Sequence, residues 1–176
     1  SATLTAAVGN LVSANYAFTF TDGALTITKA PLTVTANPVG RVYGAANPAL
    51  TATLTGFVNG ETLGTSGVTG TAAVTTTATL TSPATTYVIT PALGDLAAAN
   101  YAFATFTDGV LTVGQKALTV TADAKTKVYG AANPALTATI TGFANGETLA
   151  TSGVTGAASV TTTATALTGV GSATLT

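Results

Sequence analysis

The sequence predicts an all-β protein: small β-sandwich domains of immunoglobulin-like kind, in tandem and end to end, with β-grasp-like repeats as the alternative topology. Three observations carry this prediction. Small residues dominate, with 42 Thr, 36 Ala and 19 Gly among 176. Apolar residues alternate with Thr in short runs, the period of a half-buried strand. Pairs containing Pro or Gly separate the runs and leave no room for a long helix.

The elements follow in order. Tyr16/Phe18/Phe20 and Leu25/Ile27 flank Asp22-Gly23, a two-residue hairpin signal that Asp108-Gly109 repeats. Leu32/Val34, Leu50/Ala52/Leu54 and Tyr87/Ile89 mark further strands. Asn37-Pro38, Asn47-Pro48, Asn59-Gly60 and Ser82-Pro83 supply turns. Leu96 to Asn100 suits one helical turn. Tyr16, Phe18, Phe20, Tyr43, Phe57 and Tyr87 are the heavy candidates for the core or its boundary. Thr covers the rest of the sheet, because its β-branch suits a strand and its hydroxyl keeps the surface wet without charge.

The chain repeats itself. Residues 42–70 and 128–156 match at 26 of 29 positions, at an offset of 86. Asn15-Tyr16-Ala17-Phe18 recurs as Asn100-Tyr101-Ala102-Phe103 at an offset of 85, the difference being the extra Ala104. Such a period is too long for a solenoid rung and suits a small domain. Ser1-Ala2-Thr3-Leu4-Thr5 returns as Ser172-Ala173-Thr174-Leu175-Thr176. With the boundary at Lys29-Ala30-Pro31, residues 1–29 are the C-terminal part of one repeat, 30–115 a complete repeat and 116–176 the N-terminal part of the next. This is the pattern of a tile cut from a longer array.

Composition excludes much chemistry. There is no His, Cys, Met or Trp, so imidazole bases, thiolates, disulfides and Cys/His metal sites are ruled out. The net charge of −1 cannot neutralise a nucleic-acid backbone. A mean hydropathy of +0.52 comes largely from Ala and Val, and no run nears the ~18 apolar residues of a spanning helix. The opening SATLTAAVGN has no basic n-region, so targeting was removed or the chain is a piece of something longer.

Lys29-Ala30-Pro31-Leu32-Thr33-Val34-Thr35-Ala36, then Val42-Tyr43-Gly44, Asn47-Pro48, Gly56-Phe57 and Asn59-Gly60, resembles an MBG repeat of the YGX type, a mostly-β, glycine-rich unit. Asn100-Tyr101, Asp108-Gly109 and Leu111-Thr112-Val113 fit its end, so the resemblance spans nearly the whole chain. It implies long tandem arrays in bacterial surface proteins and secreted adhesins, and no catalytic residues. Ala45 and Ala46 stand where many relatives carry acids, which weakens any case for metal-dependent stiffening.

No residue is nominated as catalytic, cofactor-binding or metal-ligating, and no cofactor is expected. Tyr43-Gly44 and Tyr129-Gly130 read better as structural corners than as groove linings. Asp22, Glu61, Asp95, Asp108, Asp123 and Glu147 are at least thirteen residues apart in sequence, too dispersed to suggest calcium's six to eight oxygens. Lys29 and Lys116 fall in linkers, whereas an isopeptide bond to Asn needs a buried Lys. The Thr-x-Thr tripeptides lie on strands broken by irregular loops, not on the flat lattice of an ice-binding face. With no grouping of acids or Ser–Lys, an enzyme is not expected. The expected role is a structural segment (stalk, spacer or filament shaft) of an extracellular or cell-surface bacterial fibre, whose partners are adjacent copies head to tail, with lateral association in a fibre as a further contact. A module binding a carbohydrate or host ligand through loops is the alternative.

Three local expectations follow. Pro31 makes the linker between repeats semi-rigid. A β-bulge at Ala104–Thr105 returns both Phe103 and Phe106 to the core. The head of one chain meets the tail of the next.

Overall fold

The computed structural model describes residues 1–175 and is all-β. Among the described residues there is no helix, and so none able to cross a membrane. The strands are Ala2–Leu4 (β1), Gly23–Leu25 (β2), Ala30–Ala36 (β3), Val39–Val42 (β4), Ala52–Thr55 (β5), Ala73–Thr76 (β6), Thr86–Ala92 (β7), Tyr101–Thr107 (β8), Gly109–Gly114 (β9), Thr119–Ala122 (β10) and Ala138–Thr141 (β11). They make a three-stranded sheet β5-β3-β8, a four-stranded sheet β4-β9-β7-β6, and the two-stranded pairs β1-β2 and β10-β11. This all-β arrangement in several sheets is consistent with the β-sandwich-like fold predicted.

The chain forms two compact units. One comprises Ser1–Asn37, Thr51–Thr75 and Thr90–Gly109; the other comprises Pro38–Leu50, Thr76–Ile89 and the chain from Val110 onward. In the first unit, Leu32, Val34 and Ala36 alternate with Thr along β3 and are fully buried. β3 pairs antiparallel with β5 and parallel with β8. In the second unit, Leu111 and Val113 of β9 are buried in the same alternation, and β9 runs parallel to β4. Strand period 2 thus selects the core residues, and the Thr between them faces out.

The expected bulge is present. Leu32 pairs Phe103 and Thr33 pairs Thr105, so Ala104 has no partner and the register shifts there. Parallel partners share a face, so Phe103 follows Leu32 and Phe106 follows Val34. Burial is less complete than expected: Phe103 is half-buried and Phe106 is 38% exposed, because β8 is an edge strand.

Other expectations need correction. Asp108-Gly109 does not turn a hairpin: β8 and β9 lie in different sheets. A type I′ turn needs positive φ at both central residues, and neither Gly23 nor Gly109 has it. Gly109 is glycine for another reason, since a Cβ there would lie 2.5 Å from the Ala36 carbonyl oxygen. The partner of Gly23–Leu25 is Ala2–Leu4, not the aromatic run Tyr16–Phe20, which forms no strand and is exposed. The heavy side chain of the core is Tyr101, with Tyr43, Phe57 and Tyr87 half-buried. Leu96 is buried beside an isolated antiparallel bridge, Thr69 to Ala97, instead of beginning a helical turn.

The first copy carries Phe18-Thr19-Phe20 where the second has Phe103-Ala104-Thr105-Phe106. Deleting Ala104 should therefore give a regular β3–β8 ladder with Phe106 still opposite Val34, and stability within about 1 kcal/mol of the parent by urea unfolding. A loss of several kcal/mol would show that the bulge itself is required.

Candidate functional site: tyrosine clamps and an open groove

The polar side chains of the chain tie loops to strands. Tyr101, at the start of β8, is 2% exposed and stacks edge-on against Phe57, with ring centroids 5.5 Å apart at 76°. Its hydroxyl donates to Glu61 Oε2 at 2.5 Å and accepts the Val58 N–H at 3.2 Å. This clamp holds the loop whose turn, Asn59-Gly60, has positive φ at both residues. Glu61, as the accepting carboxylate, raises the Tyr101 pKa above the ordinary phenol value, with burial adding to the shift.

Tyr43 makes a similar contact with the second copy. In the second unit its hydroxyl donates to Glu147 Oε1, and that hydrogen bond raises the Tyr43 pKa. Gly44 has φ +80°, and a Cβ there would overlap the Ala144 methyl. The Tyr-Gly corner is therefore structural, as expected, and it docks on the loop Ala144-Asn145-Gly146-Glu147. Glycine at position 44 permits both the turn and the close approach.

Arg41 anchors the loop after β4, donating from Nε to Asn47 Oδ1 at 2.6 Å and from Nη2 to the Thr79 carbonyl. Asn47 Nδ2 donates to the Ala78 carbonyl at 2.7 Å. The second copy keeps this scheme with Lys127 for Arg41: Lys127 Nζ donates to Thr165 O at 2.6 Å and Asn133 Nδ2 to Ala164 O at 2.7 Å. Asn37 bridges Thr51 and Thr53, and Asp123 takes its place by accepting the Thr137 and Thr139 hydroxyls, at 2.5 and 2.7 Å. Those hydrogen bonds hold the Asp123 carboxyl below its ordinary pKa. The Thr71 backbone N–H, then its hydroxyl, do the same for Asp95.

A groove of about 550 Å³ is lined by residues between 122 and 175, among them Lys125, Thr126, Lys127, Ser172, Ala173 and Leu175. The acids weighed as calcium ligands do not converge: among the described residues no three of them could hold a metal ion. Lys29 is exposed and gives its ammonium to the Ala98 carbonyl at 2.8 Å, so it is not the buried lysine an isopeptide bond needs. Lys116 is exposed as well. The clamps were not legible as sites, although the recurrence of Glu61 and Glu147 beside Asn-Gly was a signal that could have found them.

The family profile of the MBG domain (YGX type) matches residues 32–112 and 118–176. The chain belongs to this family. MBG domains are repeats of bacterial surface proteins, of structural and not enzymatic kind. No curated protein and no solved structure matches the chain. Within the MBG repeat, the YG of the family type is the Tyr43-Gly44 corner described above.

The shifted groups set the pH response. Asp95 and Asp123 have lowered pKa values, so their contribution is complete above the ordinary carboxylate value near ~4 and is lost as pH falls through the lower folded value. Tyr101 is raised, so its contribution holds below ~10 and is lost as pH rises through the higher folded value. Asp123→Asn should leave folding at pH 7 unchanged, since Asn37 does the same work, and should reduce the acid sensitivity of thermal unfolding. An acid profile identical to that of the parent would contradict this.

Proposed function

We propose that the chain is a shaft segment, serving as stalk or spacer, of a long fibrous protein on the bacterial surface or secreted from the cell. In this reading residues 1–29 end one repeat, 30–115 form a complete repeat and 116–176 begin the next. The observation that carries it is the Tyr43–Glu147 contact, which joins the Tyr-Gly corner of one copy to the Asn-Gly-Glu loop of the following copy. A joint built from the repeated sequence itself can be used at every junction of an array.

Further features support the reading. Pairing the last strands of a repeat parallel to its first sends the chain out in the direction in which it came in, as a linear array requires. Only Gln115 to Leu118 separate β9 from β10. The side chains offer hydroxyls and methyls but little charge, as suits an inert spacer.

Small-angle scattering from chains of two, four and six repeats tests this function. A shaft gives a maximum dimension that grows linearly with repeat number, and Tyr43→Phe with Glu147→Gln, made at every joint, makes the array more flexible. Dimensions growing as the square root of repeat number in the parent sequence would reject the shaft.

A further inference from the structure

We propose that Asn145-Gly146, and with it Asn59-Gly60, is a site of spontaneous covalent modification whose rate the tyrosine clamps control. The asparagine side chain cyclises onto the glycine nitrogen, and water opens the ring to aspartate or isoaspartate. The chemistry rests on the clamps alone; its consequence for an array rests on the shaft reading.

The sequence confines this reaction to two places. Of the eight asparagines, Asn37, Asn47 and Asn133 precede Pro, whose nitrogen has no hydrogen to give up. Asn10, Asn15 and Asn100 precede Leu or Tyr, whose side chains crowd the attacking nitrogen. Asn59 and Asn145 precede Gly, which leaves the approach open. Asp22 and Asp108 also precede Gly, but there the ring forms by loss of water and its opening restores the same charge.

Neither contact of the loop covers its asparagine. Asn59 is exposed with β8 of its own repeat in place and the Tyr101 clamp made. Asn145 is exposed with the Tyr43-Gly44 corner docked on its loop. Water therefore reaches the amide in both settings.

The turn sets the gate. The Glu61 N–H donates to the Val58 carbonyl at 3.0 Å, and the Glu147 N–H to the Ala144 carbonyl at 2.8 Å. The central residues have φ of 57° and 72° in the first turn and 52° and 74° in the second. Both turns are thus of type I′. In this left-handed conformation the glycine nitrogen stands anti to the asparagine Cβ across the Cα–C bond, away from the carbon it must attack. Ring closure needs rotation about that bond, and so an open turn. Tyr101 holds the first turn through Glu61 and the Val58 N–H, and Tyr43 holds the second through Glu147. The observed rate is then the rate in an open turn scaled by the fraction of time the turn is open.

The reaction balances without a cofactor. The Gly146 nitrogen bonds to Asn145 Cγ, the Cγ–Nδ2 bond breaks, and ammonia leaves with the proton from the glycine nitrogen. Water then adds to either carbonyl of the succinimide ring. Opening at one carbonyl gives aspartate; opening at the other gives isoaspartate, whose main chain runs through the former side chain. One water is consumed, one ammonia is released, and a neutral amide becomes a carboxylate.

The product opposes the clamp. Glu147 raises the Tyr43 pKa and the Asn145 amide acts against that rise, which places the amide beside the hydroxyl. A carboxylate in its place puts a second negative charge next to Glu147. Isoaspartate also adds a backbone atom at the residue on which the turn is built. A joint that opens is marked in this way, and the mark hinders its closing.

The test uses the 176-residue chain, folded and in urea, with the variants Tyr43→Phe and Glu147→Gln. Circular dichroism checks that each variant keeps the parent fold. After incubation in mildly alkaline buffer, trypsin gives residues 42–116 and 128–176, each with one Asn-Gly. Mass spectrometry then reads the change from amide to acid in each fragment. In urea the two sites should convert at matching rates, since Asn-Gly-Glu-Thr-Leu is common to both. In the folded parent both should be slower by at least about tenfold. Tyr43→Phe and Glu147→Gln should each speed Asn145 several-fold and leave Asn59 unchanged. Conversion of Asn145 as fast in the folded as in the unfolded parent would overturn the proposal. So would an Asn145 rate that neither variant changes, or an equal rise at both sites, which reports general loosening. In longer arrays, Asn→Asp at every Asn-Gly should make the scattering more flexible, and an unchanged rod would overturn the weakening by the product. A parent array that is flexible from the start removes only the shaft; conversion independent of the clamp in a rigid array removes only this proposal.

Discussion

Parallel pairing of the last two strands of a repeat with its first two is the constraint on which the rest of the structure depends. β3 and β4 follow one another across Asn37-Pro38, and β8 and β9 across Asp108-Gly109, each pair passing from one sheet to the other. Gly109 has no side chain because it lies against the Ala36 backbone. Parallel neighbours require a long connection. Ala30 therefore waits for Tyr101, and a repeat closes only when its C-terminal segment arrives.

The two copies differ in burial. Val120 occupies the place of Val34 in nearly identical sequence, yet it is 55% exposed where Val34 is fully buried. Tyr129 is exposed where Tyr43 is half-buried. Polar ties survive, since Lys127, Asn133 and the Thr148–Thr151 turn reproduce their counterparts. They join residues at most 38 positions apart, while the apolar core of the complete repeat joins β3 to a strand about seventy residues further along.

This difference explains what could be read from the sequence. Strand alternation gave Leu32, Val34 and Ile89 as inward-facing, and the single extra residue at Ala104 gave the bulge. Asp-Gly between two β-like runs misled, because hairpin signals describe two residues and say nothing of a parallel partner some seventy residues away. The aromatic run Tyr16–Phe20 was placed in a core that, within one chain, only its counterpart Tyr101–Thr107 enters. The clamps to Glu61 and Glu147 escaped for the same reason: each joins residues forty or more positions apart.

Amide hydrogen exchange, residue by residue at a concentration where the chain is monomeric, tests closure by the parallel strands most directly. The account predicts slow exchange in Thr33–Ala36 and Thr105–Thr107, opening together, and much faster exchange in Thr119–Ala122 despite its near-identical sequence. Equal protection of the two copies would contradict it.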